Sequence, residues 1–106
     1  MSLDLIFINA VRANNTEQVR KLLQEGADAN YCDDIIRITP LHFAAINNCL
    51  GVVPLLVAAG ANLNARTIEG ETPLDIAKNQ PERTHGRMVD LLKFFILNKL
   101  DTNNMY

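Results

Sequence analysis

The 106-residue chain lacks an excess of charge of either sign. Ten Lys and Arg stand against twelve Asp and Glu, a formal net charge of −2. Residues 1–53 carry four basic and six acidic side chains, and residues 54–106 carry six of each. A surface that holds phosphate backbone by displacing counterions needs a basic excess, so nucleic acid is set aside as a partner. No stretch of about 18 apolar residues is present, which removes a membrane-spanning helix from consideration. Leu5-Ile6-Phe7-Ile8 follows Asp4 without a basic region before it and does not read as a secretory signal. Cysteine is scarce as well. Cys32 and Cys49 are too few for a stapled extracellular scaffold, and free thiols suit a cytoplasmic protein. The sequon Asn14-Asn15-Thr16 then reads as an accident of a chain with twelve asparagines.

Catalytic signatures are missing too. There is no Gly-rich phosphate loop, no H-E-x-x-H and no acid pair in a defined motif. Cys32 or Cys49 with His42 or His85 has the inventory of a nucleophile and base, or of a zinc site. Structural zinc ligands usually come in pairs roughly two to four residues apart, and no such pair occurs. The expectation is a non-enzyme with no catalytic, cofactor-binding or metal-ligating residues.

What the chain does have is repetition. Thr39-Pro40-Leu41-His42-Phe43-Ala44 returns 33 positions later as Thr72-Pro73-Leu74-Asp75-Ile76-Ala77, and Gly26-Ala27-Asp28-Ala29-Asn30 returns 34 positions later as Gly60-Ala61-Asn62-Leu63-Asn64. Two motifs repeating in the same order at nearly one period define a tandem array. Thr39 and Thr72 are good N-caps, and the following prolines fill the first helical position, where a missing N–H costs nothing. Leu41, Ala44 and Ala45, like Leu74 and Ala77, begin an apolar stripe at helical spacing. A second helix is predicted around Val19, Leu22 and Leu23, around Val52, Val53, Leu55 and Leu56, and around Met88, Val89, Leu91 and Leu92. Gly26 and Gly60 sit just past the second helices, where a left-handed residue is often needed. Each unit is therefore helix, turn, helix, extended loop.

This order at this period resembles the ankyrin repeat family, over about residues 3–100. The implied fold is all-α: a solenoid of paired antiparallel helices with projecting β-hairpin-like loops, or fingers. One domain, 1–106, would hold units at about 3–38, 39–71 and 72–100, with a polar tail at 101–106. The resemblance also implies that His42 hydrogen-bonds within and between adjacent loops, with Asp75 in the matching place of the last unit. His85 is expected to be solvated, and Cys49 to lie on a solvent-facing turn. Two departures stand out. The first finger has one extra residue and Asp33-Asp34-Ile35-Ile36-Arg37-Ile38 where the second has its turn glycine, Gly70. In the last unit, Gln80 to Gly86 reads as an enlarged inter-helix loop.

Partner binding in such arrays is implied at the finger tips and the exposed edge of each first helix. Carried over by position, the finger sites are Cys32, Asp34, Ile35, Ile36, Arg37 and Ile38, then Arg66, Ile68, Glu69 and Glu71. The helix-edge sites are Arg12 and Ala13, then Ile46 and Asn47, then Asn79 and Gln80. The expected partner is a protein. The isoleucines of the first finger are out of place at a protruding tip. Either the extra residue folds them back, against the next finger or under Phe43, or they form an exposed contact patch with Ile46 and Ile68 and with Arg37 and Arg66 at the rim. The last helix is apolar nearly all round. Met88, Leu91 or Leu92, and Phe95 can face the preceding unit, which leaves Phe94 and Leu97 to be covered by the tail, by another repeat, or by a second copy in a homodimer.

Overall fold

The computed structural model describes the backbone of residues 2–104 and the side chains of residues 2–98. Among the described residues six helices follow one another: α1 (Leu3–Arg12), α2 (Thr16–Gln24), α3 (Pro40–Asn47), α4 (Val53–Ala58), α5 (Pro73–Lys78) and α6 (Glu82–Asn104). A 3-10 turn, Leu50–Val52, leads into α4. The elements pair as α1/α2, α3/α4 and α5/α6, and α3 stacks between α1 and α5.

Local chemistry places the helix starts. Thr39 Oγ1 accepts the His42 N–H at 3.4 Å, and Thr72 Oγ1 accepts the Asp75 N–H at 3.1 Å. In both helices the side chain three residues on reaches back to the cap's own N–H, closing a reciprocal capping box. Ser2 and Asn15 cap α1 and α2 in the same way with a single bond each. Pro54 lies in the first turn of α4, where it removes no helical hydrogen bond. At the ends of α2 and α4, Gly26 and Gly60 adopt φ of +102° and +92°. The next N–H then folds back onto the helix, Ala27 to the Leu22 carbonyl and Ala61 to that of Leu56, both at 3.0 Å.

The core is continuous from unit to unit. Phe7, Val11 and Val19 meet Leu41, Ala44, Ala45, Val52, Val53 and Leu56, and this cluster continues into Ile76, Ala77, Met88 and Leu92. The alanines of α3 are fully buried, as close helix approach requires. Polar bonds tie the loops across units. Asn30 Nδ2 donates to the Gly60 carbonyl at 3.0 Å, its Oδ1 accepts from Asn62 N–H at 2.7 Å, and Asn48 Nδ2 donates to the Thr84 carbonyl at 2.7 Å.

Three local expectations need correction. The segment Gln80 to Gly86 is mostly not a loop, because α6 begins at Glu82. Pro81 offers its carbonyl to the N–H groups of Thr84 and His85, Glu82 favours the positive end of the helix, and Gly86 alone is too weak a breaker to interrupt it. Cys49 is buried, 3% exposed, with Sγ 3.4 Å from the Arg12 carbonyl, because the turn it occupies packs onto the first unit. Burial pushes its thiol pKa up, away from the reactive thiolate. His85 is half-buried rather than solvated: Nδ1 lies 2.9 Å from Thr84 Oγ1 and Nε2 3.3 Å from the Ile46 carbonyl.

The stripe reasoning for the last helix agrees with the packing. Met88 and Leu92 are buried and Phe95 is half-buried, while Phe94 and Leu97 are 55% and 59% exposed. Phe94 and Phe95 meet edge to face at 5.4 Å. The α6 backbone continues through Asn104, and the expectation that side chains of 101–106 cover Phe94 and Leu97 lies outside the described residues.

Candidate functional site

The two fingers are held in place by one imidazole. His42 is fully buried; Nδ1 accepts the Thr39 N–H at 3.1 Å, so Nε2 carries the proton and donates to the Glu71 carbonyl at 2.9 Å. That pair of bonds links the start of α3 to the base of the second finger, the bridge that the resemblance implied. Burial pulls the His42 pKa down, opposed by the carbonyls of Glu71 and Ala65 and by the Glu71 carboxylate. A second link joins the tips themselves, where Ile68 N–H donates to the Ile36 carbonyl at 3.0 Å.

Each finger turns differently. In the second, Thr67 Oγ1 accepts from the N–H groups of Glu69 and Glu71, both at 3.3 Å, and Gly70 takes φ +81°. In the first, Asp33 replaces the threonine and Oδ1 accepts from Ile35 and Ile36 N–H, each at 2.8 Å. Those bonds lower the Asp33 pKa. Arg37 stands in the left-handed position, at φ +61°. The extra residue is absorbed in this wider turn, which does not fold the tip back: Ile35 is 78% exposed and Ile36 is exposed as well.

Between the fingers and the first helices lies a groove of about 290 Å³. The first finger contributes Ile36 and Ile38, and the second contributes Thr67, Ile68, Glu69 and Glu71. Ile46 of α3 and Ile76 of α5 line it as well, together with Asn79 and Gln80. Eight of the sequence-derived positions are thus brought together: Ile36, Ile38, Ile46, Ile68, Glu69, Glu71, Asn79 and Gln80. Others lie elsewhere. Asp34 and Ile35 are at the first tip, Arg66 Nη1 donates across its own finger to the Gly70 carbonyl at 2.9 Å, and Asn47 Nδ2 donates to the Phe43 carbonyl at 3.0 Å. Arg12 lies over the Phe43 ring, 5.5 Å from its centroid, which couples α1 to α3. Arg37 and the half-buried Cys32 do not line the groove.

Sequence reasoning missed Thr67 and Ile76. No repeat signal marked Ile76: its equivalent 33 positions earlier is Phe43, which does not line the groove. A second hollow of about 330 Å³, between α5 and α6, is lined by both signs of charge, with Lys78, Glu82, Asp90 and Lys93. Among the described residues no group of three His, Cys, Asp or Glu is placed to hold a metal ion. None of the described helices is long and apolar enough to cross a membrane.

Residues 7–105 match the family described as ankyrin repeats (3 copies). Similar curated proteins include 2-5A-dependent ribonuclease of Mus musculus, 40% identical over 74 residues, which is 70% of this chain and 10% of that protein. Ankyrin repeat and SOCS box protein 6 of Mus musculus is 42% identical over 69 residues, 64% of this chain and 16% of its own length. The palmitoyltransferase ZDHHC17 of Danio rerio is 38% identical over 71 residues, 67% of this chain and 12% of its own length. The chain therefore spans less than a fifth of the length of each of these three relatives.

Proposed function

The chain belongs to the ankyrin repeat family, and on that premise we propose that it is a non-enzymatic module that docks a protein partner on its fingers and first helices. Ankyrin repeats are generally protein–protein interaction modules. The observation that carries the reading here is the groove at the junction of both fingers with α3 and α5. Around it, the apolar side chains of Ile36, Ile46 and Ile68 stay exposed. Apolar side chains gathered at one edge of a stacked array supply the desolvated centre that a binding surface needs, with polar residues at the rim. The finger and helix-edge residues assigned from the sequence are the contact set, and those lining the groove are its centre. The cytoplasmic location belongs to the same proposal and is supported by the two free thiols.

Parallel capture from a source-cell lysate tests the surface. Proteins retained by the wild-type chain and by Leu97→Asp are expected to be lost with Ile36→Asp/Ile68→Asp. Equal recovery by all three chains overturns the assignment. A second reading, pairing of two copies through Phe94 and Leu97, is favoured by the exposure of both side chains on one helix. Light scattering across a concentration series tests it, and a monomer at high micromolar concentration ends it.

A further inference from the structure

The groove also says what kind of segment suits it, an inference that rests on the docking reading above. Its volume, about 290 Å³, is at the small end for a ligand pocket and takes one or two side chains rather than a cofactor or a folded element. Its apolar lining is all isoleucine, without an aromatic face on which a base or a quaternary cation could stack. The ionisable groups that line it are Glu69 and Glu71, both acidic. Neither nearby arginine offsets them within the groove: Arg66 is drawn to the Gly70 carbonyl, and Arg37 does not line the cavity. Asn79 and Gln80, whose side-chain amides can both donate and accept, also line the groove and offer partners to the backbone of an extended segment.

We propose that the occupant is an extended peptide segment of a protein partner in which an aliphatic side chain is flanked by Lys or Arg. The aliphatic group fills the space between Ile36, Ile46, Ile68 and Ile76, and the flanking cation faces Glu69 and Glu71. An acidic segment would bring like charges together as the groove dries. An uncharged one would leave the two carboxylates without a counter-charge as part of their water is displaced. Because the carboxylates belong to a rim that stays partly wet, their contribution is expected mainly in selectivity and in salt dependence.

Selection of a random displayed-peptide library on the immobilised full chain tests this directly. The enriched sequences are expected to carry Lys or Arg within a few positions of Leu, Ile, Val or Met. A synthetic peptide of the enriched sequence, followed by fluorescence anisotropy, is expected to bind Glu69→Lys/Glu71→Lys about tenfold or more weakly than wild type. Glu69→Gln/Glu71→Gln, the milder variant, is expected to lose several-fold and most of the salt dependence. Enrichment of acidic or purely apolar peptides overturns the proposal. So does a hit whose affinity ignores both charge variants; if that hit is still lost with Ile36→Asp/Ile68→Asp, the docking surface stands and only its charge preference falls. A library that yields no peptide sensitive to Ile36→Asp/Ile68→Asp ends both.

Discussion

The two fingers meet the same requirement by different means. Both need a left-handed residue before the strand-like segment returns to the next helix. The second uses Gly70 and a threonine that satisfies two N–H groups; the first uses Arg37 and an aspartate that satisfies two others. The helices that follow them differ in parallel. His42 and Asp75 close the same capping box, but the imidazole has a second nitrogen and uses it to reach Glu71. A carboxylate has no proton to donate at neutral pH, and Asp75 makes the cap alone. Finger geometry is thus tuned for exposure in the first loop and for anchorage in the second.

The largest effect should come from removing the anchor. His42→Ala leaves a cavity, an unpaired part-buried Glu71 carbonyl and a buried cap that has lost its reciprocal bond, and about 2–4 kcal/mol of unfolding free energy is expected to be lost. Asp75→Ala, measured by the same urea titration, should cost about 1 kcal/mol or less. Equal costs would erase the distinction between the two capping boxes. Next in size is Gly70→Ala. An added Cβ would meet no heavy atom within 4 Å, so the expected loss of about 1–2 kcal/mol is purely that of a left-handed L-residue. The opposite sign is expected in the first finger, where Arg37→Gly relieves the same strain and should stabilise by about 0.5–1 kcal/mol. A destabilised Arg37→Gly would mean that the arginine side chain holds the tip.

The smallest effect near neutrality is the response to acid. Burial lowers the His42 pKa below its ordinary 6.5, so the unfolded chain takes up a proton that the folded chain refuses. Stability should be full above about pH 6.5 and decline as pH falls below it. In His42→Gln that slope should vanish. A later decline is expected from Asp75, held below its ordinary 3.8 chiefly by hydrogen bonds from Thr72, as the carboxylate protonates below that value. A wild-type profile flat from pH 7.5 to 5 contradicts the His42 assignment.

Much of the architecture was legible because it is written locally and twice. Thr39 and Thr72 announce their helices by capping chemistry, and Met88 and Leu92 are separated from Phe94 and Leu97 by helical periodicity alone. The candidate surface was legible in its positions but not in its shape. Ile35 and Ile36 carry the same side chain one residue apart, yet only Ile36 lines the groove, because Asp33 turns the chain between them and the Ile36 carbonyl meets Ile68 of the next finger. Cys49 looked like a turn residue and is one, but the turn rests on the preceding unit.

The repeat, its caps and its buried stripes are written in the residues alone, since they follow from interactions within one period of chain. The fold added that Cys49 is sealed, that Glu82 to Gly86 join α6, and that isoleucines from two fingers and two helices line one groove with Glu69 and Glu71. Those outcomes depend on how one unit lies against the next, in contacts between residues 29 and 30 positions apart that no local pattern connects.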